Sequence, residues 1–171
     1  MGDFRIWFAL TFSCYALRTV FNVARYRGSP IARKKATVTG VYIIMGLLWF
    51  SWFQMCFSDP LGFHLSRAVR YVGLVLFVSG VCLFLLSHVR ISGSKEEDGL
   101  VTGGIYSKVR NPMYLGFIIW VIGLPLFTES MATLASSTLW IAHLLTWKIL
   151  EEKELLSKHP RYAEYMKKTW F

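Results

Sequence analysis

"VTGVYIIMGLLWFSWFQMCF" fills residues Val38–Phe57 without one charged side chain. An apolar run of about 20 residues is the length a helix needs to cross the hydrocarbon core of a bilayer. A second run, Val69–Val89, carries a single charge, Arg70, next to its start. A third, Phe4–Ala24, contains Arg5 and Arg18, neither near its middle, so both can snorkel toward an interface. Across all 171 residues, 54% are hydrophobic and 16% are Phe, Trp or Tyr, and these residues fall in blocks. The pattern predicts a permanent membrane protein and excludes an ordinary water-soluble domain. Cys14, Cys56 and Cys82 are odd in number and lie inside spans, which fits buried free thiols better than disulfides or a metal site.

After Pro112 the apolar character resumes to Phe127, breaks at Thr128-Glu129-Ser130, and continues from Met131 to about Trp147. These arms, about 24 Å each at 1.5 Å per residue, read as a helical hairpin, with Pro125 a kink in its first arm. The expected fold is therefore an all-α integral membrane protein of about five transmembrane helices. The chain reads as a single domain, 1–171, with 1–87 mainly a scaffold and 88–171 the half that carries chemistry.

Basic residues follow span one (Arg25, Arg27, Arg33, Lys34, Lys35), separate spans three and four (Arg90, Lys95, Lys108, Arg110), and follow span five (Lys148, Lys153, Lys158, Arg161, Lys167, Lys168). With five helices all three clusters share one face, and the positive-inside bias makes that face cytoplasmic and the N-terminus external. The net charge of +9 then reflects topology and contact with anionic membrane lipids. No basic stripe on a soluble module suggests nucleic acid as a partner, and no obligate protein partner is inferred.

Two polar segments, 90–111 and 148–171, meet at this face. In the first, "GLVTGGIYSKVRNPMYLG" spans Gly99–Gly116. Asn111 suits an N-cap and Pro112 the first helical turn, and a helix start offers free N–H groups to an anion. Tyr106 and Tyr114 flank it at headgroup level, where anchoring alone would explain them. In the second, "ILEEKELL" (149–156) places Glu151 and Glu152 beside the apolar Trp147–Leu150 stretch. Carboxylates there oppose the dipole if the helix stops. Either the helix continues into the cytosol or the acids have a cationic partner. The aromatic tail "RYAEYMKKTWF" could lie in the interface.

Together these residues resemble the isoprenylcysteine carboxyl methyltransferase family and its phospholipid methyltransferase relatives. The family pattern L-V-T-x-G-x-Y-x-x-x-R-H-P-x-Y-x-G, then E-E-x-x-L and Tyr-x-x-Tyr, is met in order over about residues 88–168. Asn111 replaces the histidine of R-H-P, as in relatives that carry N-P-M-Y, and Asp98 replaces the histidine before Leu-Val-Thr. The resemblance implies an integral-membrane methyltransferase dependent on S-adenosylmethionine, its cofactor pocket closed by the cytosolic C-terminal segment. The methyl acceptor is expected to be lipophilic and to enter from the bilayer. Most similar is isoprenylcysteine carboxyl methylation; phospholipid N-methylation and thiol S-methylation are the alternatives. Carried over by position, His88, Leu100, Val101, Gly104, Tyr106, Asn111, Pro112, Tyr114, Glu151 and Glu152 are expected at the cofactor. Arg110 and Asn111 are expected at the reacting groups, Arg110 orienting an anionic part of the acceptor. An oxidoreductase like the NADPH-dependent sterol reductases of related architecture, and a non-catalytic membrane protein, stay open at this point.

Overall fold

The computed structural model describes residues 2–93 and 100–171, so Lys95 and Asp98 lie outside the described residues. Among those described there are six α-helices, two short 3-10 turns and no β-strand. The helices are α1 (Gly2–Tyr26), α2 (Lys35–Ser58), α3 (Arg67–Ser92), α4 (Pro112–Phe127), α5 (Met131–Lys158) and α6 (Tyr162–Lys168). Three of them, α1, α2 and α3, are long and apolar enough to cross a membrane, whereas α4 is apolar but shorter. Their outer faces carry exposed apolar side chains such as Ile6, Val20, Tyr42, Val75 and Leu86, as expected where the solvent is lipid.

Local chemistry sets the boundaries. Gly28, with φ +75°, stops α1, and Pro30 opens the 3-10 turn that leads into α2. Asp59 follows α2; its carboxylate accepts from the Thr133 N–H at 2.7 Å and the Thr133 hydroxyl at 2.8 Å, tying the end of α2 to the start of α5. Ser66 caps α3 by accepting from the Val69 N–H.

The most extensive pairing is α3 on α4. Gly73 and Gly80 face Gly123 and Gly116, and a Cβ at Gly80 would stand 2.6 Å from the Gly116 carbonyl oxygen. Small residues let the two backbones touch, which is how helices gain dispersion energy where lipid removes the hydrophobic drive. Elsewhere the interior is aromatic: Tyr15 stacks on Trp140 at 4.9 Å and on Trp147 at 5.3 Å. Thr11 pairs with Ser51 at 2.8 Å, and Thr19 bonds both His143 and the Trp147 N–H.

Of the two alternatives left open at Glu151 and Glu152, the helix does continue: α5 runs past the apolar stretch to Lys158 and carries both acids within it. Other expectations change. Cys14 and Cys56 are buried free thiols, whereas Cys82 lies on the outer surface. Arg18 does not reach out along the lipid; it turns inward, its guanidinium 5.3 Å from the Phe21 ring and 5.7 Å from the Trp147 ring. The tail does not merely lie in an interface: Trp170 exchanges main-chain hydrogen bonds with the 108–110 loop.

Candidate active site

The end of α3, the 100–111 loop, the start of α4, the second half of α5, and α6 converge at one end of the bundle. They enclose a cavity of about 170 Å³. Leu100, Val101, Tyr106, Arg110, Asn111, Tyr114 and Glu151 line it. Leu100 also borders a second cavity of about 280 Å³, lined by Lys158, His159, Pro160 and Arg161.

Adjacent glutamates on a helix point about 100° apart, and here that separates two jobs. Glu152 turns from the cavity into a cationic cluster. Its Oε1 accepts from Arg110 Nε at 2.6 Å, Asn111 Nδ2 at 2.6 Å and Lys148 Nζ at 3.2 Å. Burial alone would raise the Glu152 carboxyl, but hydrogen bonds and charge from Arg110 and Lys148 outweigh it and hold the group below the usual carboxylate range. Glu151 faces the cavity, where it accepts the Tyr114 hydroxyl at 2.7 Å.

The same cluster fastens the tail. Arg110 donates to the Thr169 carbonyl at 3.1 Å, and the Arg110 N–H to the Trp170 carbonyl at 3.0 Å. Asn111 donates to the Phe171 carbonyl at 2.9 Å, and Lys148 sits 4.8 Å from the Phe171 ring. Tyr165, whose hydroxyl donates to the Tyr106 carbonyl at 2.6 Å, and Tyr162 thus become a wall of the cavity. Burial pushes the Tyr106 phenol up to about 12, so it stays a neutral donor.

Asn111 does occupy the N-cap position of α4, but its side chain makes no capping bond; its Nδ2 donates to Glu152 and to the Phe171 carbonyl, which fix the orientation of the amide. The first N–H groups of α4, at Met113 and Tyr114 on the cavity wall, therefore keep their donors free of any side-chain cap. The Tyr162 hydroxyl, buried in the same wall, has no partner.

Of the other residues expected at the site, Glu152 and Pro112 pack behind the lining, Pro112 as the buried first residue of α4. Gly104 opens a 3-10 turn with φ +65°, and a Cβ there would meet Arg90. His88 is exposed on α3 and stacks on Phe84 at 5.9 Å, away from the lining. Met113, Leu155, Ile91, Tyr162 and Tyr165 line the cavity without having been singled out. The Tyr-x-x-Tyr of the tail was the available signal for two of them; the aliphatic three are invisible among so many apolar residues.

A family model described as phospholipid methyltransferase matches residues 68–163, more than half of the chain. The chain belongs to the phospholipid methyltransferase family. The match begins at α3 and ends in α6, so a family member is recognised by the elements around the cavity, while α1 and α2 lie outside the matched region. Among curated relatives, the cobalt-zinc-cadmium resistance protein CzcN of Cupriavidus metallidurans is 39% identical over 46% of this chain and 37% of its own length. The protein-S-isoprenylcysteine O-methyltransferase of Schizosaccharomyces pombe is 37% identical over 48% of this chain and 36% of its own. The steroid 5-alpha-reductase DET2 of Solanum lycopersicum is 34% identical over 53% of this chain and 37% of its own. The chain thus matches little more than a third of each of these relatives. No solved structure matches it.

A cofactor with a sulfonium, an ammonium, a carboxylate, ribose hydroxyls and an adenine finds a suitable set of groups here. Glu151 can accept from an ammonium or ribose hydroxyls. The uncapped N–H groups of α4 can receive a carboxylate, and Tyr106, Tyr162 and Tyr165 offer faces to adenine or the sulfonium.

Proposed function

We propose that this family member is an S-adenosylmethionine-dependent methyltransferase acting on a lipophilic, membrane-borne acceptor, most like isoprenylcysteine carboxyl methylation. The observation that carries the reading is the convergence of Leu100, Val101, Tyr106, Asn111, Tyr114 and Glu151 on one cavity that the tail closes. The likeness to the yeast isoprenylcysteine O-methyltransferase supports the choice of acceptor.

The cofactor, when bound, supplies an activated methyl group whose bond to sulfur breaks, both electrons staying on sulfur, as the acceptor bonds to carbon. The chain's part is alignment and exclusion of water. Glu151 and the start of α4 hold the cofactor's polar ends, and the tyrosine wall closes over them. A carboxylate or thiolate acceptor needs no base; Asn111 cannot titrate, so an amine would have to lose its proton elsewhere. Arg110, already bonded to Glu152, acts from the cavity wall by setting the tail and the local positive field.

In this reading α4 and α5 complete five membrane crossings as a hairpin, and the cavity faces the cytoplasm. The bond from Arg25 at the end of α1 to Glu154 on α5, 3.0 Å, supports one shared face for the basic clusters. The test is purified protein with labelled S-adenosylmethionine, offered a prenylcysteine, phosphatidylethanolamine and a small thiol in parallel, with NADPH and a sterol enone as the contrasting arm. Label in the prenylcysteine supports the reading; label in phosphatidylethanolamine or the thiol moves the acceptor. NADPH consumption without methyl transfer would replace the reading with that of a reductase.

A further inference from the structure

Arg18 points inward from α1, against the rings of Phe21 and Trp147. It lies about 12 Å along α1 from Tyr26, counting 1.5 Å per residue, and its Nε is fully buried without a hydrogen-bond partner. Its neighbours are already committed. Arg25 is bonded to Glu154, Glu154 also to Lys158, and Glu151 accepts the Tyr114 hydroxyl. Two aromatic rings, Phe21 and Trp147, flank the guanidinium, and Glu151 acts on it only through space, with no ion pair to it among the described residues. A cation at this depth in a membrane helix is costly and ordinarily faces a partner or a pathway.

Two cavities meet at Arg18. One, about 160 Å³, is a cleft between α1 and α2 walled by Phe21, Val38, Val41, Tyr42 and Met45, with Arg25 also on its lining. The other is a narrow space of about 30 Å³ bounded by Arg25, Tyr114, Trp147, Glu151 and Glu154. Tyr114 and Glu151 also line the cofactor cavity. The guanidinium thus stands between a cleft walled mostly by apolar side chains and a small polar space that shares Tyr114 and Glu151 with the cofactor cavity.

We propose that Arg18 binds the anionic group, a carboxylate or phosphate, of the apolar-tailed acceptor, whose tail lies in the cleft between α1 and α2. The inference rests on the methyltransferase reading and names a specificity residue for it on α1, outside the region by which the family is recognised. The guanidinium fork suits either oxyanion. An amine-bearing phospholipid would place its phosphate at Arg18 and its amine toward Glu151; a prenylated acid would place its carboxylate there.

The test needs no turnover. Detergent-purified protein is titrated calorimetrically with N-acetyl-S-farnesylcysteine and its methyl ester, and with dihexanoylphosphatidic acid and dihexanoylglycerol. Parent protein should prefer an acid over its neutral partner, and the arm that shows the preference identifies carboxylate or phosphate. Arg18→Gln should weaken that acid about 10- to 100-fold, the range for a lost charge-assisted bond, and leave the neutral partner unchanged. Arg18→Lys should fall between, and Arg5→Gln, at the other end of α1, should match the parent. Thermal unfolding confirms that each variant is folded. Equal affinity for acid and neutral partner in the parent, or an equal loss of both in Arg18→Gln, overturns the proposal. Because the probes bind without cofactor, failure to bind S-adenosylmethionine would sink the methyltransferase reading while this result stood.

Discussion

Replacing Glu152 by Gln tests whether this residue holds the tail rather than the cofactor. Gln keeps an acceptor oxygen near Arg110, Asn111 and Lys148 but removes the charge that balances two cations. The Arg110, Lys148 and Glu152 side chains are each only 11% exposed, so water does little to replace the lost partner. Hydrogen bonds to charged groups contribute about 1.5–3 kcal/mol each, against 0.5–1.5 for neutral ones. With two such bonds downgraded and partial compensation by water, the change should cost about 2–3 kcal/mol. The cost should appear locally, because Arg110 and Asn111 hold the main chain at Thr169–Phe171. Hydrogen exchange followed by mass spectrometry on peptides covering 160–171 should then run about 30- to 150-fold faster, with α3 and α4 nearly unaffected. Any loss of S-adenosylmethionine affinity should track the opening of the tail. Unchanged exchange in that segment with sharply weakened cofactor binding would refute the reasoning and move Glu152 into direct contact with the cofactor.

Other perturbations follow from the same geometry. Asn111→Asp removes both amide donations and sets a second carboxylate against Glu152 Oε1, so it should destabilise by about 1–3 kcal/mol, measured as a lower Tm in detergent; a simple cap would have tolerated it. Gly80→Ala forces a Cβ to 2.6 Å from the Gly116 carbonyl oxygen, and overpacking of this kind costs about 1–3 kcal/mol, again read as a fall in Tm. Glu152 and Glu154 both have carboxyls held below their ordinary value of 4.5, in the face of burial, by Arg110 and Lys148 and by Lys158 and Arg25. Because their folded values are depressed, their stabilisation is complete above that value and is lost as pH falls below it. Proteolytic nicking of the tail should rise on acidification through that window and not between pH 6 and 8.

The three long helices were legible because an uninterrupted apolar run of bilayer length has few other uses; Val38–Phe57 grew only to Lys35–Ser58. The glycine spacing that seats α3 on α4 was present as Gly73, Gly80, Gly116 and Gly123, but small residues matter only once the partner helix is known. Glu151 and Glu152 were visible as a pair, yet which of them faces the cavity depends on the rotation of α5, which its neighbours set. Asn111 was read as a cap from local chemistry, but donation from its Nδ2 to the distant Glu152 carboxylate holds the side chain in an orientation that makes no cap. Arg18 looked like a snorkelling residue because of its distance from the helix middle. Packing against Trp147, far away in the chain, turned it inward.

The central claim is that this end of the bundle holds S-adenosylmethionine through Glu151. Calorimetric titration of the full chain, parent and Glu151→Gln, with S-adenosylmethionine and separately with NADPH measures it most directly. Stoichiometric S-adenosylmethionine binding to the parent is expected, about 10- to 150-fold weaker in the variant for one lost charge-assisted bond, with Tm unchanged and NADPH inert. Binding of equal strength in both proteins, or NADPH binding in place of S-adenosylmethionine, would contradict the account.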